Sequence, residues 1–216
     1  MSFIKSAILA LAAATPLVSA SPVARQFRNG TEFAILAAPT SYSGPYTSFP
    51  SMDTWKTFDE LFDINKSYMN QAGSTWDDIG RIYVGISSAA ATIGVDERVI
   101  LCMIMQESHG YVGVETSFSP GEGIPTAGLM QCSGCAGFPG QTGLSQDQIN
   151  EMINGGTQHY KGNLEDFGDL WATSSIYPAL REYNSGSVDE SNLSNGLGAT
   201  DSYVSDISQR LQGWAD

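Results

Sequence analysis

The sequence predicts a mainly α-helical domain with one loop-rich or short β-hairpin segment, and three observations carry that prediction. From Met52 onward, apolar residues recur at i, i+3, i+4 and i+7, the period of helices with one buried face. Several of these stripes open on Ser, Thr or Asp, whose side chains satisfy the free N–H groups of a first helical turn. Between Gly110 and Gly143 the period stops and Gly, Pro, Ser and Thr accumulate, so that stretch is read as loops with room for a short hairpin.

In chain order, Trp55, Phe58, Phe62 and Met69, with Leu61 beside them, predict a first helix over roughly 54–70. Ser74 or Thr75, followed by Asp77 and Asp78, caps a second, which runs to about Ile93 with Ile79, Ile82, Tyr83 and Ile86 on one face. Gly94-Val95 breaks that run, Asp96 caps a third helix, and Gly110 ends it just after His109. Beyond the loop-rich stretch, Ser145-x-x-Gln148 is a capping box opening onto Ile149, Met152 and Ile153. Helical pattern resumes from Thr157 with Tyr160, Leu164 and Phe167, then at Ile176, Leu180 and Tyr183, and last at Val204, Ile207, Leu211 and Trp214. No internal repeat of fixed period is present.

The N-terminal residues predict export. Lys5, the apolar run Ala7–Val18 and the small-residue end Val18-Ser19-Ala20 follow the plan of a secretory signal peptide over residues 1–20. Residues 21–50 are rich in Ser, Pro, Thr and Ala without periodicity and are read as an arm or linker, which leaves 51–216 as the domain. No later run approaches the ~18 apolar residues of a membrane span. The sequons at Asn29, Asn65 and Asn192 agree with a secreted, extracellular glycoprotein.

A net charge of −13 argues against nucleic acid as a partner, because no basic stripe is available to displace its counterions. Cys102, Cys132 and Cys135 are the three cysteines. In an oxidising compartment one pair forms and one thiol is left over, with a structural link near Gln131 favoured over redox or zinc chemistry, since no fourth metal ligand accompanies the CxxC.

On the third predicted helix Ile100, Met103, Ile104 and Glu107 fall at i, i+3, i+4 and i+7, which puts a carboxylate on the buried stripe. Desolvation there raises a carboxyl pKa and yields a group able to protonate a leaving oxygen near neutrality. The same spacing also suits a helix-end glutamate that reaches water or pairs with an arginine. The spacing by itself leaves both open.

In order along the chain, Gly94-Val95-Asp96 with its helix, Glu107-Ser108-His109, Gly128-Leu129-Met130-Gln131, Tyr183-Asn184-Ser185-Gly186 and Tyr203-Val204 resemble the soluble lytic transglycosylases and goose-type lysozymes. The resemblance covers roughly residues 75–214. It implies a lysozyme-like fold in which the loop-rich segment forms one cleft wall, with Glu107 as catalytic acid and Ser108 its neighbour in the site. It further implies Gly128, Met130 and Gln131 on the sugar, Tyr183 and Asn184 facing the acid and holding it in orientation, and Tyr203 as a further cleft tyrosine. Each of these also has an ordinary structural role open to it, as core residue, half-buried aromatic or helix end.

The pattern departs from the family in two places. The interval from Glu107 to Gln131 is long, and Cys132-Ser133 stands where goose-type lysozymes carry an acidic residue. Glu122 and then Glu115 are the candidates for a second carboxylate, which inverting hydrolysis needs and transglycosylation does not. Neither His109 nor His159 has metal-spaced partners, and the reading requires no metal or cofactor.

The expected function is therefore a monomeric glycosidase or lytic transglycosylase acting on β-1,4-linked N-acetylhexosamine polymers, with peptidoglycan first and chitin-like chains second. A secreted carbohydrate-binding protein that keeps the groove without turnover is the alternative. A purely structural protein is the reading that an exposed Glu107, remote from Gln131 and Tyr183, would favour.

Overall fold

In the computed structural model, which describes residues 41–119 and 123–216, helix α3 (Glu97–Ser108) is buried on every side from Val99 to Met105. A helix that is apolar all round has to be covered all round. Helices α1 (Phe58–Ala72), α2 (Trp76–Ile93) and α6 (Tyr203–Leu211) pack on it, while α4 (Gln146–Asp166) lies against α2 and α5 (Thr173–Ser185), and α5 meets α6. Between α3 and α4 sits a small antiparallel sheet in the order β1 (Ser117–Phe118), β2 (Pro125–Ala127), β3 (Cys132–Ser133). Its register pairs Ser117 with Thr126 and Ala127 with Cys132. The domain is thus mainly helical with a short hairpin, as its periodicity predicts.

The caps set the helix starts. Thr57 forms a capping box with Glu60, so α1 begins at Phe58, and Trp55 falls in the extended chain before it. Thr75 and Asp78 form the box that opens α2, Asp96 accepts from the Arg98 N–H at the head of α3, and Ser145 with Gln148 opens α4. Each box satisfies N–H groups that the first turn leaves free.

Two segments differ from expectation. Helix α4 runs unbroken through Gly155-Gly156, where the pattern was read as pausing before Thr157. A Cβ at Gly156 would stand 2.4 Å from Met130 Cβ, and one at Gly155 3.0 Å from Cys135 Sγ. The pair thus gives up about 1 kcal/mol of helix propensity per glycine so that Met130 and the Cys132–Cys135 disulfide can lie directly on the helix. The second difference is the arm. Its described part, residues 41–50, is packed on the domain: Phe49 is buried with its ring 5.1 Å from that of Tyr177, the Tyr42 N–H donates to Ser205 Oγ at 2.9 Å, and the Tyr177 hydroxyl donates to the Pro50 carbonyl at 2.6 Å. The domain's packing therefore begins by Tyr42 rather than at residue 51. The segment 1–20, the rest of the arm and Asn29 lie outside the described residues.

Asn65 is fully buried within α1 and its amide donates to the Leu61 carbonyl at 2.8 Å, so the folded domain has no room for a glycan there. Asn192 is exposed. Cys102 is the unpaired cysteine, buried in α3, and burial pushes its thiol pKa up to about 12. None of the described helices is long and apolar enough to cross a membrane.

Asp78 joins two parts of the chain far apart in sequence. Besides capping α2, its buried carboxylate accepts from the Gly143 and Leu144 N–H groups at 2.9 Å each, fixing the approach to α4. Burial alone would raise its pKa, but the bonds from Thr75, Gly143 and Leu144 outweigh it and hold the group below its ordinary value. A depressed carboxyl contributes stability that is complete above its unfolded pKa and is lost as pH falls through the folded one. Asp78→Ala is expected to cost on the order of 3 kcal/mol in urea unfolding at pH 7, and less in strong acid. A loss under about 1 kcal/mol at pH 7 would show that this tie is dispensable.

Candidate active site

Glu107 occupies the last turn of α3, where the helix leaves the core, and it is half-buried. Tyr203, the first residue of α6, is buried behind it and donates its hydroxyl to Glu107 Oε1 at 2.5 Å. Among the described residues this is the one hydrogen bond to that carboxyl. Burial raises the Glu107 pKa from 4.5 to about 7, opposed only in part by the phenol, which favours the charged form. The carboxyl is therefore protonated over most of the acidic range. Because Oε1 accepts from Tyr203, the acid proton belongs on Oε2, the oxygen without a partner among the described residues.

The turn Gly128–Gln131 is tied to the end of α3 next to this acid. The buried Ser108 hydroxyl lies 2.8 Å from the Leu129 carbonyl and 3.0 Å from that of Ile104, clasping the end of α3 to the turn. Tyr183, on the last turns of α5, donates to the Met130 carbonyl at 2.7 Å. Its own pKa is driven well up by burial and then by the charge of Glu107, which puts the phenol in the acid's neighbourhood. Gln131 accepts from Ser117 Oγ at 2.8 Å and donates to the Gly128 carbonyl at 3.0 Å, latching β1 to the turn.

Several expected roles change. Met130 is fully buried and packs on Gly156 and Thr157, so its side chain belongs to the core and its carbonyl alone serves the site. Gly128, at φ 73°, has its Cβ direction blocked by the Ala136 carbonyl at 2.3 Å. Glycine is required there by backbone packing rather than by approach to a sugar. Ser108 likewise spends its hydroxyl on the clasp. Asn184 Oδ1 accepts from the Thr200 N–H at 3.1 Å and from Arg181, so it pins the α5–α6 connection, while the carboxyl is held by Tyr203.

Arg181 lies under that phenol. Fully buried, it has its guanidinium 6.0 Å from the Tyr203 ring, and it donates to the Thr200 carbonyl at 3.0 Å, with no carboxylate partner among the described residues. Of the two candidates for a second carboxylate, Glu115 is exposed and contributes its main-chain carbonyl to Gln131, and Glu122 lies outside the described residues. Two exposed rings beside this group have no place in the site expected from sequence, where His159 figures only as a rejected metal ligand. His159 sits with its ring 5.0 Å from that of Tyr183, and Phe118 stands 65% exposed on β1 next to Ser117. An aromatic in an otherwise small and polar loop was the available signal for Phe118, whereas His159 gave none. Among the described residues no cluster of three His, Cys, Asp or Glu side chains could hold a metal ion.

No protein-family model matches the chain, and no curated protein is similar to it at a significant level.

Two measurements follow from the carboxyl's surroundings. Removing the phenol in Tyr203→Phe is expected to move the Glu107 titration midpoint up by about one pH unit, read by NMR of the labelled side chain; a midpoint that stays or falls would contradict the assigned bond. The folded state holds the Glu107 proton to about pH 7, the unfolded chain to about 4.5, so the group penalises folding as pH rises through that window. Glu107→Gln should therefore gain about 3 kcal/mol of stability between pH 4 and pH 8 relative to the native chain. A difference independent of pH would rule out the raised pKa.

Proposed function

We propose that this chain is a secreted glycan-cleaving enzyme, with Glu107 as general acid, acting on β-1,4-linked N-acetylhexosamine polymers. The observation that carries the reading is a half-buried carboxyl with a pKa near 7, held on one oxygen by Tyr203 and free on the other. The order and spacing of the segments resembling soluble lytic transglycosylases and goose-type lysozymes support it. So does the meeting of four of them, Glu107-Ser108, Gly128–Gln131, Tyr183 and Tyr203, in one hydrogen-bonded group.

In this reaction the Oε2 proton of Glu107 passes to the glycosidic oxygen as the bond from that oxygen to the anomeric carbon breaks. The carboxylate left behind keeps the Tyr203 bond, which strengthens as charge develops on it. Closure follows by attack on the anomeric carbon, either of water or of a hydroxyl of the same sugar, and the attacking group's proton returns to Glu107. The second route needs no other carboxylate.

The charge of the chain bears on the substrate. In the described domain Lys66, Lys161, Arg98 and Arg210 are paired with Asp63, Asp169, Asp96 and Asp216, and Arg181 is buried. With so few cations free and a net charge of −13, an uncharged chitin-like chain meets less repulsion than anionic peptidoglycan. The raised Glu107 pKa predicts kcat/KM that holds below pH 7 and falls about tenfold per unit above it. Glu107→Gln should lose at least about 100-fold in turnover while still binding oligomers. Product release from chitin oligomers and from bacterial walls, followed across pH, tests this. An unaffected Glu107→Gln variant would remove the enzyme reading, and binding without turnover in the native chain would leave the carbohydrate-binding alternative.

A further inference from the structure

At the end of α3 remote from Glu107, the loop joining α4 to α5 presents Trp171 62% and Leu170 59% exposed. The loop that carries them is firmly held. The Asp169 N–H donates to the Leu164 carbonyl at 2.7 Å, Ser175 Oγ donates to the Phe167 carbonyl at 2.6 Å and accepts from the Leu170 N–H at 3.3 Å, and Lys161 pairs with Asp169. These bonds keep the indole and its neighbour Leu170 side by side in water, a joined apolar exposure rather than a single scattered one.

Trp171 lies on the border of two cavities. One, of about 530 Å³, runs along Thr57, Phe58 and the α2–α3 junction, and the other, of about 210 Å³, continues past Lys161 and Asp169. Gly94, Val95 and Asp96 line both. Of the charged groups around them, Arg98 meets Asp96 at 2.6 Å through Nη2 and Lys161 meets Asp169, while Glu97 lines the larger cavity outside these pairs. Arg98 is itself fixed over the Trp55 ring, 4.9 Å from its centroid. The place therefore offers a flat aromatic face, edged by donors and acceptors in set positions, where the charges beside the indole are paired and Glu97 is the one lining charge outside those pairs.

We propose that the Trp171 face is a second glycan-binding site, which takes an uncharged pyranose chain by stacking a sugar on the indole and hydrogen-bonding its hydroxyls to the Asp96–Arg98 and Lys161–Asp169 pairs. A ring that is apolar on its C–H face and polar at its edge matches this surface. The eleven residue steps from Asp96 to Glu107 put the site roughly 16 Å from the acid along α3. A polymer bound here does not occupy the reacting position, so the site retains the enzyme on an insoluble substrate. The choice of a glycan as ligand rests on the function proposed above.

The test uses the full chain in the Glu107→Gln background, with and without Trp171→Ala, and measures retention on colloidal chitin. The double variant is expected to bind about tenfold more weakly, with an unchanged thermal melt. In the active background Trp171→Ala should lower the ratio of turnover on colloidal chitin to turnover on a soluble N-acetylglucosamine tetramer at least about fivefold. Equal retention with and without the indole overturns the site. So does a loss equal on polymer and tetramer, which assigns Trp171 to the reacting subsites. If the native chain turns over no glycan while Trp171→Ala still weakens retention, the catalytic reading fails and the binding site stands; a chain that neither binds nor cleaves removes both.

Discussion

The burial of α3 from all sides constrains everything else in this domain. With seven consecutive residues, Val99 to Met105, excluded from water, the helix has no solvent face on which to place a charge. Past that run the helix can carry a carboxylate again only in the turn where it leaves the core, and Glu107 stands there. The neighbours that cover α3 then supply the acid's surroundings, since Tyr203 opens α6 and Ser108 clasps the helix end to the turn that precedes β3. One packing requirement thus sets both the core and the electrostatics of the site.

The balance at Glu107 is between burial, which expels the charged form, and one phenol, which stabilises it, and burial prevails. Asp78, also withdrawn from water, has the opposite outcome, because four hydrogen bonds from Thr75, Gly143 and Leu144 converge on it. The contrast separates a carboxylate that holds the fold from one left poised to release a proton. The fewer the donors a buried acid has, the longer it keeps its proton.

Much of the helix plan was legible in the sequence because caps and apolar stripes are local: Thr75, Asp96 and Ser145 each announce a start from residues within one turn. Helix α4 does not pause at Gly155-Gly156, because those glycines answer to Met130 and Cys135, 26 and 20 positions away in the chain respectively. The site was legible as a set of residues and less so as a set of roles. Tyr203 and Glu107 are 96 positions apart, and nothing local distinguishes the phenol that meets the acid from Tyr183, which meets a carbonyl instead. Met130 and Gly128 were read as facing a ligand when packing against α4 and the Ala136 carbonyl already accounts for them. Trp171 gave no periodic signal because it belongs to a loop, where exposure is decided by tertiary hydrogen bonds.

Cys102 has a consequence for how the molecule ages. Its sulfur is sealed inside α3 with its proton held to about pH 12, while the Cys132–Cys135 bridge closes a ring of only a few residues near the surface of the sheet. Exchange between them needs a thiolate to reach the bridge, and neither condition is met until the core itself comes apart. The odd cysteine is thereby harmless in the native protein and becomes a source of scrambled and cross-linked species only after global opening. Its rate of alkylation under native conditions is a built-in clock for that opening.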